Sequence, residues 1–307
     1  MSGPFVLVPL TVTTAMLTSS TIAEPATGET VWVAATSYTV GQQVIRLETH
    51  RIYESLIAGV NATLPENSPT RWLDVGPTSR YAAFDTFVST QSSAVTTLSY
   101  VLRPGFFNAI GLYGLEGATV SVSVKDAPGG TVFFSRTIDL IELPIDYYDY
   151  YFGAIRLSTK ALLKGILPQA DPELTITVSA GTGIPVKLGM VAIGDLRGLT
   201  LVEGSGALAG AKAKPVTYSY ITTDAFGTTK IIKRSKATDM DIRAVVPRLD
   251  ADSALLTIQS VLDIPAVWIA TDAAGYEGLS VFGLASGDVT YEGPNHSTIT
   301  INIKGLI

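Results

Sequence analysis

The sequence predicts a mainly β chain: a small aromatic-rich β module, then a β-sandwich or jelly roll, then a C-terminal α+β domain. Three observations carry this expectation. Short β-branched runs recur along most of the 307 residues, separated by turn formers such as the stretch Asp126 to Gly130. Inside the runs apolar and polar residues alternate. Val120, Val122 and Val124 interleave with Ser121, Ser123 and Lys125, which gives a strand one buried and one wet face. Clear helical spacing is found in a single stretch, Asp250 to Leu262, where Ala254, Leu255, Ile258, Val261 and Leu262 follow a capping Asp250 or Asp252.

Taken in order, residues 1–30 form an apolar N-terminal segment interrupted by Pro4 and Pro9, with no lysine or arginine before Arg46. A secretory signal needs a positive start and an unbroken apolar run. The segment reads instead as an extended assembly arm that pairs with a neighbouring subunit. Residues 31–80 hold strand signals at Val31–Ala34, Gln43–Leu47 and Arg51–Ser55, with a polar, proline-containing loop at Asn61–Thr70. Residues 81–198 carry Ala94–Leu102, Asn108–Tyr113, Thr119–Lys125, Thr131–Thr137, Ala154–Leu157, Leu174–Ala180 and Val186–Ile193, a count and spacing that fit a sandwich. Residues 199–307 begin with a linker, Gly204–Gly210. A hairpin follows, of Pro215–Thr222 and Thr228–Ser235 around the turn Asp224 to Gly227. Strands at Ile242–Val246, Ala266–Ala270, Leu279–Phe282 and Thr298–Ile303 enclose the helix.

Composition excludes several function classes. With no cysteine, disulfides, thiolate nucleophiles and cysteine–zinc sites are absent. The balance of 21 basic and 27 acidic residues is too mild for steering, and Lys230–Lys236, the densest basic run, alternates with apolar residues and reads as an exposed strand. Nucleic acid is therefore not an expected partner. No run of 18 apolar residues occurs, so no membrane insertion is expected. At 47% hydrophobic and only 16% charged, the chain has material for cores and surfaces suited to being covered by neighbours.

Catalytic chemistry is not expected. The histidines, His50 and His296, have no partners at metal or triad spacing. The carboxylates Asp139, Glu142, Asp146 and Asp149 offer the pair that glycoside hydrolysis needs, as does any acid-rich loop. Asp239 with Asp241, Asp250 with Asp252, and Asp171 with Glu173 lack a calcium-loop arrangement and read as turns and caps. No cofactor and no metal site is expected.

Two aromatic groups stand out. Trp32, Tyr38, Tyr53 and Trp72 lie in the order Trp, Tyr-x-x-Gly, Arg-Ile-Tyr and Trp-x-x-Val-Gly across residues 31–76. This order resembles the chitin-binding type 3 modules found on chitinases and phage tail proteins. The resemblance implies sugar contact by exposed rings, since flat C–H faces of sugars stack on aromatics. Read from the residues alone, the same four rings better suit the core of a domain too small to have another. The second group is Tyr147, Tyr148, Tyr150 and Tyr151. These are either a contact surface, with Tyr148 and Tyr150 as glycan-binding candidates, or tyrosines packed alternately on the sandwich.

The run Phe107 to Leu112 followed by Thr119–Lys125 is similar to galactose-binding-like jelly rolls. The C-terminal residues Tyr220, Asp224 to Gly227, Lys233-Arg234, Trp268-Ile269, Phe282-Gly283 and Lys304 to Leu306 resemble domains of tailed-phage tail and baseplate proteins, as does Trp72 to Asp85. The likeness implies a virion protein of a tail tip, baseplate or fibre base, in a symmetric homo-oligomer with other tail proteins and in contact with bacterial surface glycan. An accessory carbohydrate-binding protein outside a virion is the alternative.

Overall fold

A computed structural model describes residues 3–142, 146–153, 156–199, 206–207, 210–223, 225–271, 273 and 275–306. Two strands precede the aromatic module, β1 (Phe5–Pro9) and β2 (Leu17–Ser20). The module holds β3 (Thr36–Tyr38), β4 (Gln43–Arg46), β5 (Arg51–Ser55), β6 (Gly59–Asn61) and β7 (Trp72–Pro77). Then come β8 (Ser92–Val95), β9 (Thr97–Leu102), β10 (Ala109–Tyr113), β11 (Thr119–Lys125), β12 (Val132–Asp139), the short helix α1 (Tyr147–Phe152), β13 (Lys160–Lys164), β14 (Glu173–Ser179), β15 (Pro185–Leu188) and β16 (Met190–Gly198). The C-terminal part contributes β17 (Gly206–Ala207), β18 (Lys212–Thr217), β19 (Tyr220–Thr223), β20 (Thr229–Ile232), β21 (Lys236–Pro247), α2 (Ala251–Ser260), β22 (Ala266–Ile269), β23 (Ser280–Thr290) and β24 (His296–Gly305). The chain is mainly β, as its alternation predicts.

The largest sheet runs in the order β13-β10-β16-β1-β22-β23-β24-β21-β17, with β18 also paired to β21. Its centre is the N-terminal strand. β1 pairs antiparallel with β16 from Phe5↔Gly198 to Pro9↔Gly194, and with β22 from Phe5↔Ile269 to Leu7↔Val267. A strand buried on both faces reads as a continuous apolar run, and Phe5-Val-Leu-Val is one. Proline is tolerated because Pro9 lies beyond Leu7, the last residue β22 reaches, so the missing N–H falls where β1 has one neighbour only. Gly194 completes the fit, since a Cβ there would meet the Val8 carbonyl oxygen at 1.9 Å.

Alternation across β1 splits the interior. Val6 joins Met240, Ile258 and Trp268 beneath α2, while Leu7 joins Ala109, Met190 and Phe282 on the opposite face. The face carrying Val6 also carries Val191 and Ile193, which pack against the second sheet, of order β12-β11-β14-β9-β2. One face of the large sheet is thus covered at one end by the five-stranded sheet and at the other by α2. The Leu7 face closes on itself by curling: the Tyr113 hydroxyl of β10 lies 2.9 Å from Ser280 Oγ of β23, four places along the sheet. The small module is separate, with β4-β5-β7 in one sheet and β3-β6 in another. It is tied to the rest by Glu24, whose buried carboxylate accepts from Thr78 Oγ1 at 2.6 Å and pairs with His50 Nδ1 at 2.8 Å.

Several expectations need correction. The segment 1–30, expected as an arm for a neighbouring subunit, has both edges of β1 occupied within its own chain. The expected boundary at 198/199 lies between strands that β1 joins into one sheet. Val31–Ala34 is not a strand, and only Val31 bridges to Ile45. The hairpin is displaced toward its turn, because β18 joins β21 and leaves β19–β20 to pair with each other. Of the expected strand Ala154–Leu157, Ala154 and Ile155 lie outside the described residues, as does most of the linker Gly204–Gly210.

Two outcomes are expected. Leu7→Ala should cost about 2–5 kcal/mol in urea unfolding, and removal of residues 1–10 should leave an insoluble or molten chain. A folded, soluble truncation would show that β1 is dispensable. The second concerns alkali. Burial pushes the Tyr100 hydroxyl, which donates to the Arg80 carbonyl at 2.9 Å, up to about 12, and raises that of Tyr113 as well. The neutral forms are favoured by folding, so their contribution is full below the ordinary tyrosine range near pH 10 and is lost as pH rises through the folded values. Stability should fall between about pH 10 and 12, by about 1.4 kcal/mol per pH unit for each such tyrosine. Tyr100→Phe should flatten that fall in pH-dependent denaturation curves.

Candidate functional site

The four aromatics of the small module are gathered in one place and turned inward. Trp32, Tyr38, Tyr53 and Trp72 are each less than a tenth exposed and, with Val44, form the module's core, against which Leu64 packs. Local geometry shows why. Tyr38 meets Trp72 edge-on, with centroids 5.2 Å apart. Its hydroxyl accepts from Val33 N at 2.7 Å and donates to Val33 O at 3.0 Å, which ties the strand's entry to its end. The Arg46 guanidinium lies over Trp32 at 5.1 Å and is itself held by Glu48 and Glu66. These four rings are turned into the module's core rather than toward solvent. A module this small has few other residues with which to exclude water.

The tyrosine cluster is placed the opposite way. Leu140–Glu142 and Arg156–Ser158 run antiparallel, with Ser158 N donating to Leu140 O at 2.7 Å, Glu142 N to Arg156 O at 3.0 Å, and an Ile141↔Leu157 bridge. This two-stranded stalk leaves the sandwich between β12 and β13, and α1 lies within the loop at its end. Tyr147, Tyr148, Tyr150, Tyr151 and Phe152 are between 67% and 86% exposed. The rings lean on one another rather than on the body: Tyr148 and Phe152 are 5.3 Å apart, Tyr150 and Tyr151 5.0 Å and T-shaped. Tyr148 and Tyr150, the candidates from the sequence, are therefore both at the surface, linked through Phe152 and Tyr151 and not by direct contact.

At the foot of the stalk is a cleft of about 420 Å³ that sequence reasoning missed. Its lining includes Ser158 of the stalk, Arg136, Lys160, Lys164 and the hydroxyl side chains Tyr113 and Tyr276. Lys160 Nζ donates to the Ser280 carbonyl at 2.8 Å. These residues come from β10, β12, β13 and the loop before β23, and no local signal joins them. Hydroxyls and cations beside an aromatic cluster are the side chains that hold polyols and acids in place.

Four of the carboxylates considered for calcium have other partners. Asp171 pairs with Arg103 and Glu173 with Lys125, Asp239 accepts from Gly305 N at 3.1 Å, and Asp252 accepts from Tyr291 Oη at 2.6 Å. Among the described residues no group of three or more His, Asp or Glu side chains is gathered as metal ligands would be. No helix among them is long and apolar enough to cross a membrane.

No family model matches the chain, and no curated protein does. Among solved structures the chain is similar to a selenomethionine-labelled mutant of chitosan-binding module 1 from the chitosanase/glucanase of Paenibacillus sp. IK-5. The identity is 12%, over 37% of this chain and 82% of that one, and the TM-score is 0.24. A score of that size transfers neither fold nor function.

The burial of the tryptophans gives a direct test. The indole nitrogens of Trp32 and Trp72 are buried with no hydrogen-bond partner among the described residues. Trp72→Ala should cost about 3–5 kcal/mol, and Trp72→Phe clearly less, because no hydrogen bond is given up. If instead Trp72→Ala left thermal unfolding unchanged and abolished binding to polysaccharide, the ring would be a contact residue.

Proposed function

We propose that the chain is a structural protein that works by non-covalent contact, with α1 as its contact element. The observation that carries this reading is the run of exposed aromatic rings in α1, four of which, Tyr148, Tyr150, Tyr151 and Phe152, touch one another at the surface. Burying large rings yields about 1.5–3 kcal/mol each, and folding leaves this helix's rings in water. Aromatic rings flanked by Asp146 and Asp149, with a cationic, hydroxyl-lined cleft at the foot of the stalk, suit a polyhydroxylated ligand such as a glycan.

The setting we propose is a tailed-phage virion, at the tail tip, baseplate or fibre base, where the chain assembles with other tail proteins. It rests on the sequence resemblance. Display of many copies on one particle would raise weak single contacts by about 10²–10⁴ in avidity.

Antiserum to the recombinant chain should label one end of the tail on gradient-purified particles under immunogold microscopy. Particles carrying Tyr148→Ala with Tyr150→Ala should adsorb poorly to host cells, while the isolated variant keeps its stability to within about 0.5 kcal/mol, as expected of exposed positions. Unlabelled particles, with the protein retained on insoluble polysaccharide, would replace the virion reading by that of a free carbohydrate-binding protein. Unchanged adsorption would remove α1 as the contact element.

A further inference from the structure

The charge of the C-terminal part is unevenly divided. Residues 212–236 hold six lysines and arginines against one acid, Asp224, in a chain whose net charge is −6. Residues 249–303 hold seven acids and no lysine or arginine. The basic part is a ribbon. β18 pairs with β21 as far as Thr217↔Lys236, and beyond that point β19 and β20 pair with each other, from Tyr220↔Ile232 to Thr223↔Thr229. Tyr220 and Ile232 share one face of the ribbon, Ile221 and Ile231 the other, and all four are exposed. Lys230, Lys233 and Arg234 are exposed too and have no ion-pair partner among the described residues. A two-stranded hairpin standing alone in water is marginal at best. This one has an exposed apolar pair on each face, with no strand among the described residues paired beside it.

A surface of matching character lies on the same chain. The outer side of α2 exposes Leu256, and Leu249 and Leu262 are exposed at its two ends. Asp263 is exposed among them, and so is Asp252, which accepts a hydrogen bond from Tyr291 with Arg248 lying over that ring. Apolar residues rimmed by acids would meet apolar residues rimmed by bases. We propose that the β19–β20 ribbon of one copy docks on the outer face of α2 of a second copy, so that copies join head to tail. The contact is heterologous, joining two different patches, and it builds a ring where the rotation closes and a filament where it does not. Four exposed apolar residues on the ribbon favour a protein surface over a phosphate backbone, which selects for cations alone. The inference rests on the assembly side of the proposed function and names the surface that would carry it.

The test is a charge swap on the full chain, read by sedimentation velocity across protein and salt concentration. The unaltered chain should self-associate, less so at high salt. Chains with Lys230→Glu, Lys233→Glu and Arg234→Glu should be monomeric, as should chains with Asp252→Lys and Asp263→Lys. Mixed together, the two variants should recover association, with affinity at least about tenfold above that of either alone. Ile221→Ser with Ile231→Ser should weaken association without altering charge. Circular dichroism and thermal unfolding establish that each variant is folded, since every altered side chain is exposed. A chain monomeric under all conditions would overturn the proposal, as would reversed variants that associate like the original. So would duplex DNA retained by the original and released by the ribbon reversal, which would make the ribbon a nucleic-acid arm. Failure here with tail-end labelling of particles would remove this contact and leave the virion reading in place.

Discussion

The pairing of Phe5–Pro9 with both β16 and β22 is the interaction on which the rest of the structure depends. Without β1, the large sheet would fall into two pieces, each with an unpaired edge, and such edges invite aggregation. With it, one strand supplies backbone partners to both sides and apolar side chains to two interiors, Val6 beneath α2 and Leu7 inside the curl. The fit is tight enough that the residue opposite Pro9 has to be Gly194, because any Cβ there would collide with the Val8 carbonyl. Sandwich, curl and helix-covered end are therefore one mechanical body.

The two aromatic groups show how the same residue type is used oppositely. In the small module, Trp32, Tyr38, Tyr53 and Trp72 are the only large rings at hand to build a core, and the hydroxyl of Tyr38 and the Arg46–Trp32 contact complete it. In α1 the rings of Tyr148, Tyr150, Tyr151 and Phe152 touch one another and are otherwise largely in solvent. What distinguishes them is the surrounding topology: a module closed by two small sheets in one case, a loop carried on a stalk in the other.

That contrast also marks how far the sequence could be read. Strands whose signal is local were legible: Thr119–Lys125 and Arg51–Ser55 emerge with the bounds their alternation predicts, and the helical spacing after Asp250 marks α2. β1 was legible as β-forming but not as central, because its partners lie roughly 190 and 260 residues away and no local pattern points to them. The α1 residues resisted for another reason. Tyrosine and phenylalanine favour strands, so nothing in their propensity points to the short helix Tyr147–Phe152. β13, Lys160-Ala-Leu-Leu-Lys164, has too short an alternation to stand out, yet it supplies two cations of the cleft. The cleft as a whole is a product of curling and has no counterpart in any stretch of sequence.

The same central strand has a consequence for the order of events during synthesis. β1 leaves the ribosome well before the strand that closes on it, since Leu7 cannot meet Val267 until about 260 further residues have been made. At about 5–20 residues per second, Phe5-Val-Leu-Val is held in waiting for roughly 13–50 s, apolar on both faces and without its partners. The five-stranded sheet and the small module can form in the meantime. The large sheet is a late event, set by contacts of long sequence separation, which are the slow ones. Its closure is what makes the early and late halves of the chain a single cooperative unit.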